Sequence, residues 1–381
     1  MIEPSPVLGG WSELLAKGRA TVTAEEPLEF SSGAPGPVVE RYRTGFGKMY
    51  QAKIEDFLSS QHAVDLEGKV QLVFTSPPFP LQTPKKYGNK VGDEYLNWLS
   101  DLAPRLTKLL TPNGSIVIEL GNVWEKGHPV MSTLPLRALL KFQEAGDLYV
   151  NQQFICHNPA RLPSPIEWVN KQRIRVKDTY TQVWWMAATE RPKADNRNVL
   201  VEYSASMKKL IRTRKYNAGV RPSGHTIGEA SFLTDNGGAI PPNVLEIAAE
   251  EPEAELLALL KDEFPTNVLQ LTNTSASTPY RDYCRERGIA AHPAPMQLEL
   301  ARFFIKFLTD ERDIVLDPFG GSNTTGAVAE DLQRRWIATE PKWDYIRGSY
   351  GRFEKLRKRR PLPVDEPSRA RALSPSLGVI D

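Results

Sequence analysis

A short segment, "TSPPF" (75–79), ends an apolar run with two hydroxyl residues, two prolines and an aromatic ring. Proline lacks a backbone N–H, so the tandem pair presents carbonyl acceptors without competing donors. The hydroxyl of Ser76 adds a further acceptor. Such an acceptor-rich notch suits an amino group attached to a flat ring, with Phe79 stacking on that ring. As an alternative, the segment is an ordinary turn from a strand into a loop.

A second segment, "LDPFGGSNTTG" (316–326), closes an apolar run with Asp317 and continues with two glycines that permit a tight turn. It lacks the Lys of a phosphate-binding loop and the G-x-G-x-x-G of a dinucleotide site. Asp317 would repel phosphate and attract an ammonium or sulfonium group. Glu340 follows about 20 residues later, the spacing of a carboxylate that holds ribose hydroxyls. A cationic amino-acid group with a ribose describes S-adenosylmethionine better than NAD, although the same loop also fits a capping turn with a solvent-facing Asp317.

Short apolar strands alternate with amphipathic helices along most of the chain. This alternation predicts an α/β fold with a mostly parallel sheet and helices on both faces. Ligands of such sheets bind beyond the carboxyl ends of the strands, where both polar segments lie. The predicted strands are 48–54, 70–76, 115–120, 148–157, 179–188, 313–319 and 335–340, and the predicted helices are 93–110, 134–146, 297–310, 323–333 and 343–356, with a turn at 111–114.

The chain of 381 residues divides into five predicted segments. Sequence rich in Pro, Gly and Ser predicts a flexible arm over 1–46 and a tail over 361–381. The alternating pattern covers 47–189 and 291–360, the two halves of one domain. The irregular, polar stretch 190–290 is predicted to form a smaller lobe. No apolar stretch is long enough to span a bilayer, and we expect a cytoplasmic, prokaryotic protein.

The net charge is only +2, but basic residues cluster at 171–177 and 208–215. Segregated basic patches suit a phosphate backbone, although such runs are also common on solvated faces. The two cysteines, Cys156 and Cys284, lack the spacing of a metal site or of a disulfide framework. We therefore expect ordinary, partly buried thiols and no metal.

The motifs together resemble the β group of DNA amino-methyltransferases from bacterial restriction–modification systems. In that group, as here, the catalytic motif precedes the cofactor motif, and the likeness extends over roughly 48–350. Ser76 at the first position of the catalytic motif is similar to the N4-cytosine enzymes. The resemblance implies a Rossmann-like, S-adenosylmethionine-dependent fold in which 190–290 recognises the target. Further segments that resemble the family are 81–89, 162–185, 221–228, 235–243 and 291–305.

The resemblance also assigns roles to individual residues. It implies that Ser76 and the Pro77 carbonyl bind the target amine, and that Glu119 on the neighbouring strand acts with Ser76. Glu119 as a buried structural carboxylate is the alternative, because buried charges are usually paired. The implied catalytic residues are Ser76, Pro77, Pro78, Phe79 and Glu119. The implied cofactor-binding residues are Asp56, Thr75, His292, Pro293, Asp317, Pro318, Phe319, Gly320, Gly321, Ser322, Thr324 and Glu340.

The implied reaction is direct, in-line methylation of the N4 amine of a cytosine that has left the duplex at a specific site in double-stranded DNA. Neither cysteine follows a proline, as the nucleophile of a cytosine-C5 enzyme would. A restriction endonuclease would act on the same site without forming a stable complex. The predicted DNA contacts are Lys171, Arg173, Arg175 and Lys177, which alternate as on one face of a strand or hairpin, and Lys208, Arg212, Arg214 and Arg221.

Three alternatives stay open at this point. The nearest is the same reaction at adenine N6. The second is a DNA-binding protein with a degenerate cofactor pocket, which the intact segment 316–326 disfavours. The third is an oxidoreductase that binds a dinucleotide, which the missing G-x-G-x-x-G disfavours.

Overall fold

The described part of the chain comprises residues 38–80, 90–159, 161–215, 218–228, 232–248, 269–272 and 277–353 of a computed structural model. Most of the predicted arm, the family-like segment 81–89 and the predicted tail 361–381 lie outside these residues. Within the described residues the strands are β1 (Val39–Arg43), β2 (Gly47–Gln51), β3 (Val70–Thr75), β4 (Leu110–Gly121), β5 (Tyr149–His157), β6 (Tyr180–Ala187), β7 (Gly219–Val220), β8 (Thr226–Ile227), β9 (Val244–Ala248), β10 (Leu269–Thr272), β11 (Ile314–Asp317) and β12 (Arg335–Thr339).

Ten of these strands form the main sheet, in the order β1-β2-β12-β11-β3-β4-β6-β5-β9-β10. The neighbours from β2 to β4 are all parallel. Strand β6 runs antiparallel to both β4 and β5, so β5 points the same way as β4. The carboxyl ends of β2, β12, β11, β3, β4 and β5 therefore meet at one edge, together with the start of β6. The predicted mostly parallel sheet is confirmed.

Helices cover both faces of this sheet, as predicted. On one face, Val73 belongs to the same core as Leu99 and Phe142 of two packed helices. On the other face, the ring of Phe74 stacks on Phe304 with the ring centroids 5.6 Å apart. The α-helices of the described residues are α1 (Ile54–Leu58), α2 (Gln61–Val64), α3 (Gly92–Thr107), α4 (Leu134–Ala145), α5 (Ala205–Thr213), α6 (Ser277–Glu286), α7 (Leu298–Leu308), α8 (Thr324–Asp331) and α9 (Trp343–Ser349).

The predicted turn at 111–114 is wrong, because β4 continues through it. Val70 pairs with Leu110 but Leu72 pairs with Ser115, so the four residues between them bulge from the ladder. Side chains hold the bulge against β3: the Thr111 hydroxyl donates to Gln71 Oε1 at 2.8 Å, and Gln71 Nε2 donates to the Asn113 carbonyl at 3.1 Å. A turn-forming sequence is thus accommodated inside a strand.

Two predicted segment boundaries also need correction. Residue 46 is too late an end for the arm, because β1 already pairs antiparallel with β2. The predicted lobe 190–290 is not separate from the main sheet along its whole length, because β9 joins β5 and β10 joins β9. Among the described residues, no helix combines the length and apolar character needed to cross a membrane.

Candidate active site

A cavity of about 1050 Å³ lies at the carboxyl edge of the sheet. Its walls come from the segments that follow β2, β3, β5, β11 and β12 and from the start of β6. This is where ligands bind in α/β sheets of this kind. The volume is at the upper end of the range for small-molecule sites, so there is room for more than one ligand group.

The acceptor notch lines this cavity directly after β3. Ser76, Pro77, Pro78 and Phe79 all contribute to the wall. The Ser76 hydroxyl donates a long hydrogen bond of 3.4 Å to the main-chain carbonyl of Glu119. The ring of Phe79 lies against Gly121, where an added Cβ would come within 2.4 Å of a ring carbon. The glycine therefore lets the aromatic ring sit close to the end of β4.

Glu119 faces the cavity from β4 and is only 8% exposed. Its Oε1 accepts a hydrogen bond of 2.8 Å from the Thr181 hydroxyl on the neighbouring antiparallel strand. Burial raises the pKa of the Glu119 carboxyl, and the hydroxyls of Thr181 and Ser76 and the charge of Arg161 offset part of that rise. The hydrogen bond from Ser76 goes to the Glu119 main-chain carbonyl, and the Thr181 hydroxyl binds the carboxyl group. The Ser76 hydroxyl also lies close enough to that carboxyl group to lower its pKa.

Asp317 ends β11 and is 4% exposed at the wall of the cavity. Its Oδ1 accepts from the Thr75 hydroxyl at 2.8 Å and from the Phe319 N–H at 3.1 Å, and its Oδ2 accepts from the Thr325 hydroxyl at 2.7 Å. Burial raises the pKa of this carboxyl. Within the described residues no cation pairs with it, and a buried carboxylate ordinarily needs such a partner. The amino-acid and sulfonium charges of S-adenosylmethionine would supply one.

Glu340 follows β12 and also lines the cavity. Its Oε2 accepts from the Gly321 N–H at 3.1 Å and its Oε1 accepts from the Lys342 N–H at 2.9 Å. Burial raises the pKa of Glu340 to about 7, and the two backbone N–H donors limit the rise. The acid predicted to hold ribose hydroxyls is therefore fixed beside the glycine loop by main-chain contacts.

Hydrogen bonds on the side away from the cavity fix the glycine loop between β11 and α8. Ser322 lines the cavity, and its hydroxyl contacts that of Thr324 at 3.3 Å. Arg352 donates to the Ser322 carbonyl at 2.7 Å and to its hydroxyl at 3.0 Å. Asn323, at a φ of 52°, caps α8 through the Gly326 N–H at 3.1 Å. Thr75 and Thr324 thus act behind the cavity wall, while Pro318, Phe319, Gly320 and Gly321 form it together with Ser322.

His292 and Pro293 line the cavity beside the glycine loop. A Cβ at Gly321, which has a φ of 50°, would lie 3.1 Å from His292 Nε2, so the loop and the imidazole are in close contact. The His292 N–H donates to the Tyr280 hydroxyl at 2.8 Å, and its ring meets Tyr345 edge-on at 4.6 Å. Burial lowers the pKa of His292 to about 4, so the imidazole is neutral at physiological pH.

Asp56, like Thr75 and Thr324, is a predicted cofactor residue that does not line the cavity. Its neighbour Glu55 does, together with Lys53 and Ile54. The Glu55 Oε1 accepts from the Trp98 Nε1–H at 2.6 Å, which places both side chains on the same wall. In a helix as short as α1, adjacent residues point in different directions, so an assignment that is off by one position changes the face.

The predicted DNA-contact residues all lie outside the cavity lining. The segment 171–177 is not a strand: Lys171 ends a turn of π-helix that spans Glu167–Lys171, and Arg173 has a left-handed φ of 54°. That left-handed residue breaks the alternation of an extended chain, so the predicted single face is wrong. The Arg175 guanidinium lies 3.8 Å from the centroid of the Trp124 ring, and Lys177 donates to the Pro159 carbonyl at 2.7 Å.

The second basic cluster lies on and after α5. Lys208 forms an ion pair with Glu202, and Arg212 is exposed in the last turn of the helix. Arg214 caps the helix with a left-handed φ of 53°. The main-chain N–H of Arg221 donates to the His225 carbonyl at 2.7 Å in a turn between β7 and β8. These positions stay predictions as DNA contacts.

Several cavity residues were not predicted from the sequence, and four of them lie near β5 and β6. Cys156 and Asn158 lie at and after the end of β5, Arg161 follows them, and Thr181 is the second residue of β6. Polar residues at strand ends often mark a site, and this rule would have identified Asn158 after β5. Thr181 lies at the start of β6, so its identification also requires the knowledge that β6 runs antiparallel beside β4. Both cysteines are buried and unpaired, as expected.

The fold and this site together define a class of protein. A parallel sheet carries an acceptor notch after one strand and, after two adjacent strands, buried carboxyl groups suited to a cationic nucleoside cofactor. This arrangement is typical of methyltransferases that use S-adenosylmethionine.

Comparisons with known proteins agree. A family model for N6 and N4 methyltransferases, described as DNA methylase, matches residues 70–350. The type II methyltransferase M.PvuII from Proteus hauseri is 42% identical over 314 residues, which cover 82% of this chain and 85% of that protein. M.BglII from Bacillus subtilis is 23% identical over 309 residues, covering 81% and 70%. A solved structure titled PvuII DNA methyltransferase (cytosine-N4-specific) matches with a TM-score of 0.61 and 36% identity, covering 82% of this chain and 88% of that one.

The chain therefore belongs to the DNA methylase family of N6 and N4 amino-methyltransferases. The predictions of the family, the fold class, an S-adenosylmethionine cofactor and methyl transfer to DNA are confirmed. Neither the oxidoreductase nor the catalytically inactive DNA-binding protein is supported.

Proposed function

We propose that this protein methylates the N4 amino group of a cytosine within a specific double-stranded DNA site. The observation that carries the proposal is the acceptor notch of Ser76 and Pro77 in the same cavity as the acidic cofactor wall. The serine at position 76 and the likeness to a structure titled cytosine-N4-specific support cytosine as the target.

The residues of the notch act on the geometry of the target nitrogen. The lone pair of an exocyclic amine is delocalised into the ring, which makes the amine a poor nucleophile. The Ser76 hydroxyl and the Pro77 carbonyl accept its two N–H bonds and hold them out of the ring plane, which frees the lone pair. Phe79 stacks on the ring and sets its orientation. When bound, S-adenosylmethionine supplies a methyl group activated by an adjacent sulfonium.

Glu119 and its neighbours hold this notch in position. The Glu119 carbonyl accepts from Ser76, and its carboxyl group is anchored by Thr181. Cys156 lines the same cavity, but burial raises the pKa of its thiol far above the usual range. The thiolate needed for a covalent cysteine intermediate is therefore scarce, which supports direct transfer to the amine.

The target base has to leave the duplex to enter the cavity, because its amine is hydrogen-bonded inside the stack. The basic residues around 171–177 and 208–214 are proposed to hold the DNA backbone while the base is extruded. We further propose that the enzyme acts in a prokaryotic cytoplasm with a restriction endonuclease that recognises the same site, because its relatives are type II methyltransferases.

The test is direct analysis of the product. Mixed-sequence DNA is incubated with the enzyme and methyl-labelled S-adenosylmethionine, digested to nucleosides and separated, and the modified sites are mapped. We expect the label in N4-methyldeoxycytidine at one short sequence. Label found solely in N6-methyldeoxyadenosine would overturn the cytosine assignment, and label in 5-methyldeoxycytidine would overturn the amine chemistry.

A further inference from the structure

Arg161 lines the same cavity as Ser76, Glu119 and Thr181, and the proposed methyl transfer assigns no role to it. It comes shortly after the end of β5 and is half-buried. Its Nη1 donates to the Tyr180 carbonyl at 3.2 Å, and Lys177 fixes the chain just before it through the Pro159 carbonyl at 2.7 Å. One hydrogen bond thus orients the guanidinium, and the Lys177 contact anchors the main chain that precedes Arg161.

Hydrogen bonds to side chains and to main-chain carbonyls connect the residues of this wall in a definite order. The Ser76 hydroxyl contacts the main chain of Glu119, and the Glu119 carboxyl is bonded to Thr181. The residue before Thr181 presents the carbonyl that holds Arg161. The charge of Arg161 is close enough to Glu119 to lower the pKa of its carboxyl. From the notch outward, the wall therefore runs from Ser76 through Glu119 to Arg161.

The guanidinium has donors to spare at this point. The contact with Tyr180 uses one of its N–H groups, and in the described part of the chain no carboxylate forms an ion pair with Arg161. A charged donor fork at the wall of a ligand cavity calls for an acceptor from the ligand. The acceptor comes either from the base itself or from a phosphate of its nucleotide.

The order of Ser76, Glu119 and Arg161 along this wall matches the order of the polar groups on one edge of cytosine. That edge carries the amino group, then a ring nitrogen, then the O2 carbonyl oxygen. With the amine at Ser76, the ring nitrogen faces Glu119 and the third position falls toward Arg161. The corresponding edge of adenine carries an amino group and a ring nitrogen, but its third position is a C–H that accepts no hydrogen bond.

We propose that Arg161 donates a hydrogen bond to O2 of the extruded cytosine and so favours cytosine over adenine. This inference rests on the proposed function and identifies the residue that selects its substrate. The notch of Ser76 and Pro77 accepts an amine from either base, so discrimination needs a group beyond it. A hydrogen bond to a charged donor changes a rate or affinity by about 10- to 100-fold.

The test combines a base analogue with a substitution. Duplexes carry the mapped site with either cytosine or 2-thiocytosine at the target position, because sulfur is a weaker acceptor than oxygen. Single-turnover methylation at saturating cofactor is measured for the unmodified enzyme and for Arg161→Met. Arg161→Lys keeps the charge without the fork. Arg137→Met is the matched control, because Arg137 lies outside the cavity lining and faces Asp93 on another helix at 3.4 Å.

We expect the effects of 2-thiocytosine and of Arg161→Met on the methylation rate to be non-additive. The unmodified enzyme loses about 10-fold or more in rate on 2-thiocytosine, Arg161→Met loses a similar factor on cytosine, and the variant shows no further loss on the analogue. Arg137→Met keeps the full analogue effect. Arg161→Lys falls between the two, and a normal cofactor affinity in both Arg161 variants shows that they are folded.

Two outcomes would overturn the inference. If the analogue slows Arg161→Met by the same factor as the unmodified enzyme, Arg161 does not contact O2. A further duplex carries a neutral methylphosphonate in place of the phosphate next to the target nucleotide. If Arg161→Met is non-additive with this change and additive with 2-thiocytosine, Arg161 binds the phosphate and not O2. Failure of the proposed function is distinguishable, because the unmodified enzyme would then form no N4-methyldeoxycytidine on the ordinary duplex.

Discussion

The cofactor side of the cavity and the basic segments outside it hold their charged groups in opposite ways. Asp317 and Glu340 are buried, and each of their carboxyl oxygens accepts at least one hydrogen bond from a fixed hydroxyl or backbone N–H. Lys171 and Lys208 are exposed and contact nearby acids, Glu167 and Glu202, on their own segments. One region is fixed by internal hydrogen bonds, whereas we propose that the other gains its geometry from the DNA.

This difference predicts two kinds of response to substitution. A change in the buried region removes a group that the fold has already positioned, so it alters chemistry or cofactor binding at any ionic strength. A change in the exposed region removes one phosphate contact, so it alters DNA affinity by a modest factor that depends on salt. Each prediction below tests one side of that contrast.

The largest effect is expected at the notch itself. Ser76→Ala removes the hydroxyl acceptor, so the amine is held on one side only, and we expect the rate of methyl transfer to fall by about 100-fold or more. The affinity for S-adenosylmethionine stays nearly unchanged, because no contact of the cofactor wall is lost. Single-turnover kinetics and calorimetric titration of the cofactor measure the two quantities. A weakened cofactor affinity with normal turnover per bound cofactor would show that Ser76 belongs to the other site.

The second largest effect is expected for Asp317→Ala, which should weaken cofactor binding. It leaves the hydroxyls of Thr75 and Thr325 and the Phe319 N–H without their acceptor, which costs about 3 kcal/mol of unfolding free energy or more. It also removes the negative charge that faces the cationic cofactor, so we expect its dissociation constant to rise by about 10-fold or more.

Asp313 provides the matched control for Asp317. It lies just before the opposite end of the same strand and contacts Lys193 at 2.8 Å, away from the cavity. Asp313→Ala should lower the melting temperature but leave the cofactor dissociation constant unchanged. A normal dissociation constant in Asp317→Ala would contradict the placement of the cofactor charge at this strand end.

The contrast also explains which parts of the site could be predicted from the sequence. Asp317 ends an apolar strand, and Ser76 and Glu340 directly follow two others. The alternation of strands and helices is enough to bring such ends together. Glu55 rather than Asp56 lines the cavity, because the direction of a side chain in a short helix depends on packing. Thr181 requires the antiparallel placement of β6, which no local pattern reveals.

The exposed segments were predicted least well, for a physical reason. The alternation of cations over 171–177 suggested an extended face, but nothing in a local pattern specifies the left-handed φ of Arg173. Buried strands have their periodicity enforced by the core, whereas a solvated loop has no such constraint. The bulge at 111–114 is the intermediate case, where a turn sequence is retained within a strand because Gln71 satisfies its polar groups.

The third prediction concerns the pH dependence of cofactor binding by the buried Glu340. The pKa of Glu340 in the folded protein, about 7, lies above the ordinary value of 4.5, so the folded protein binds this proton more tightly than the unfolded chain. Its contribution to stability is therefore greatest at low pH and declines as the pH rises through about 7. Ribose hydroxyls donate best to the ionised carboxylate, so the cofactor should bind several-fold more tightly at about pH 8 than at about pH 6.

Glu340→Gln provides the check on that titration. The amide keeps one acceptor but does not ionise, so cofactor affinity should be lower than that of the unmodified enzyme at about pH 8 and should lose its dependence on pH. An unchanged pH dependence in this variant would assign the titration to another group. The neutral His292 is excluded from this window, because its lowered pKa of about 4 lies well below it.

The smallest effect is expected on the exposed side, at Lys171. Its ammonium lies 2.9 Å from Glu167 and is largely solvated, so Lys171→Ala should weaken DNA binding only about 3-fold near 0.15 M salt and reduce the salt slope of the affinity by about one unit. The loss should be equal for specific and unrelated sequences, because a phosphate contact carries no sequence information. Lys141→Ala is the matched control, since that exposed lysine contacts Asn97 on a neighbouring helix. A salt slope in Lys171→Ala equal to that of Lys141→Ala would place the duplex elsewhere, and a loss confined to the specific site would make Lys171 a base-reading residue.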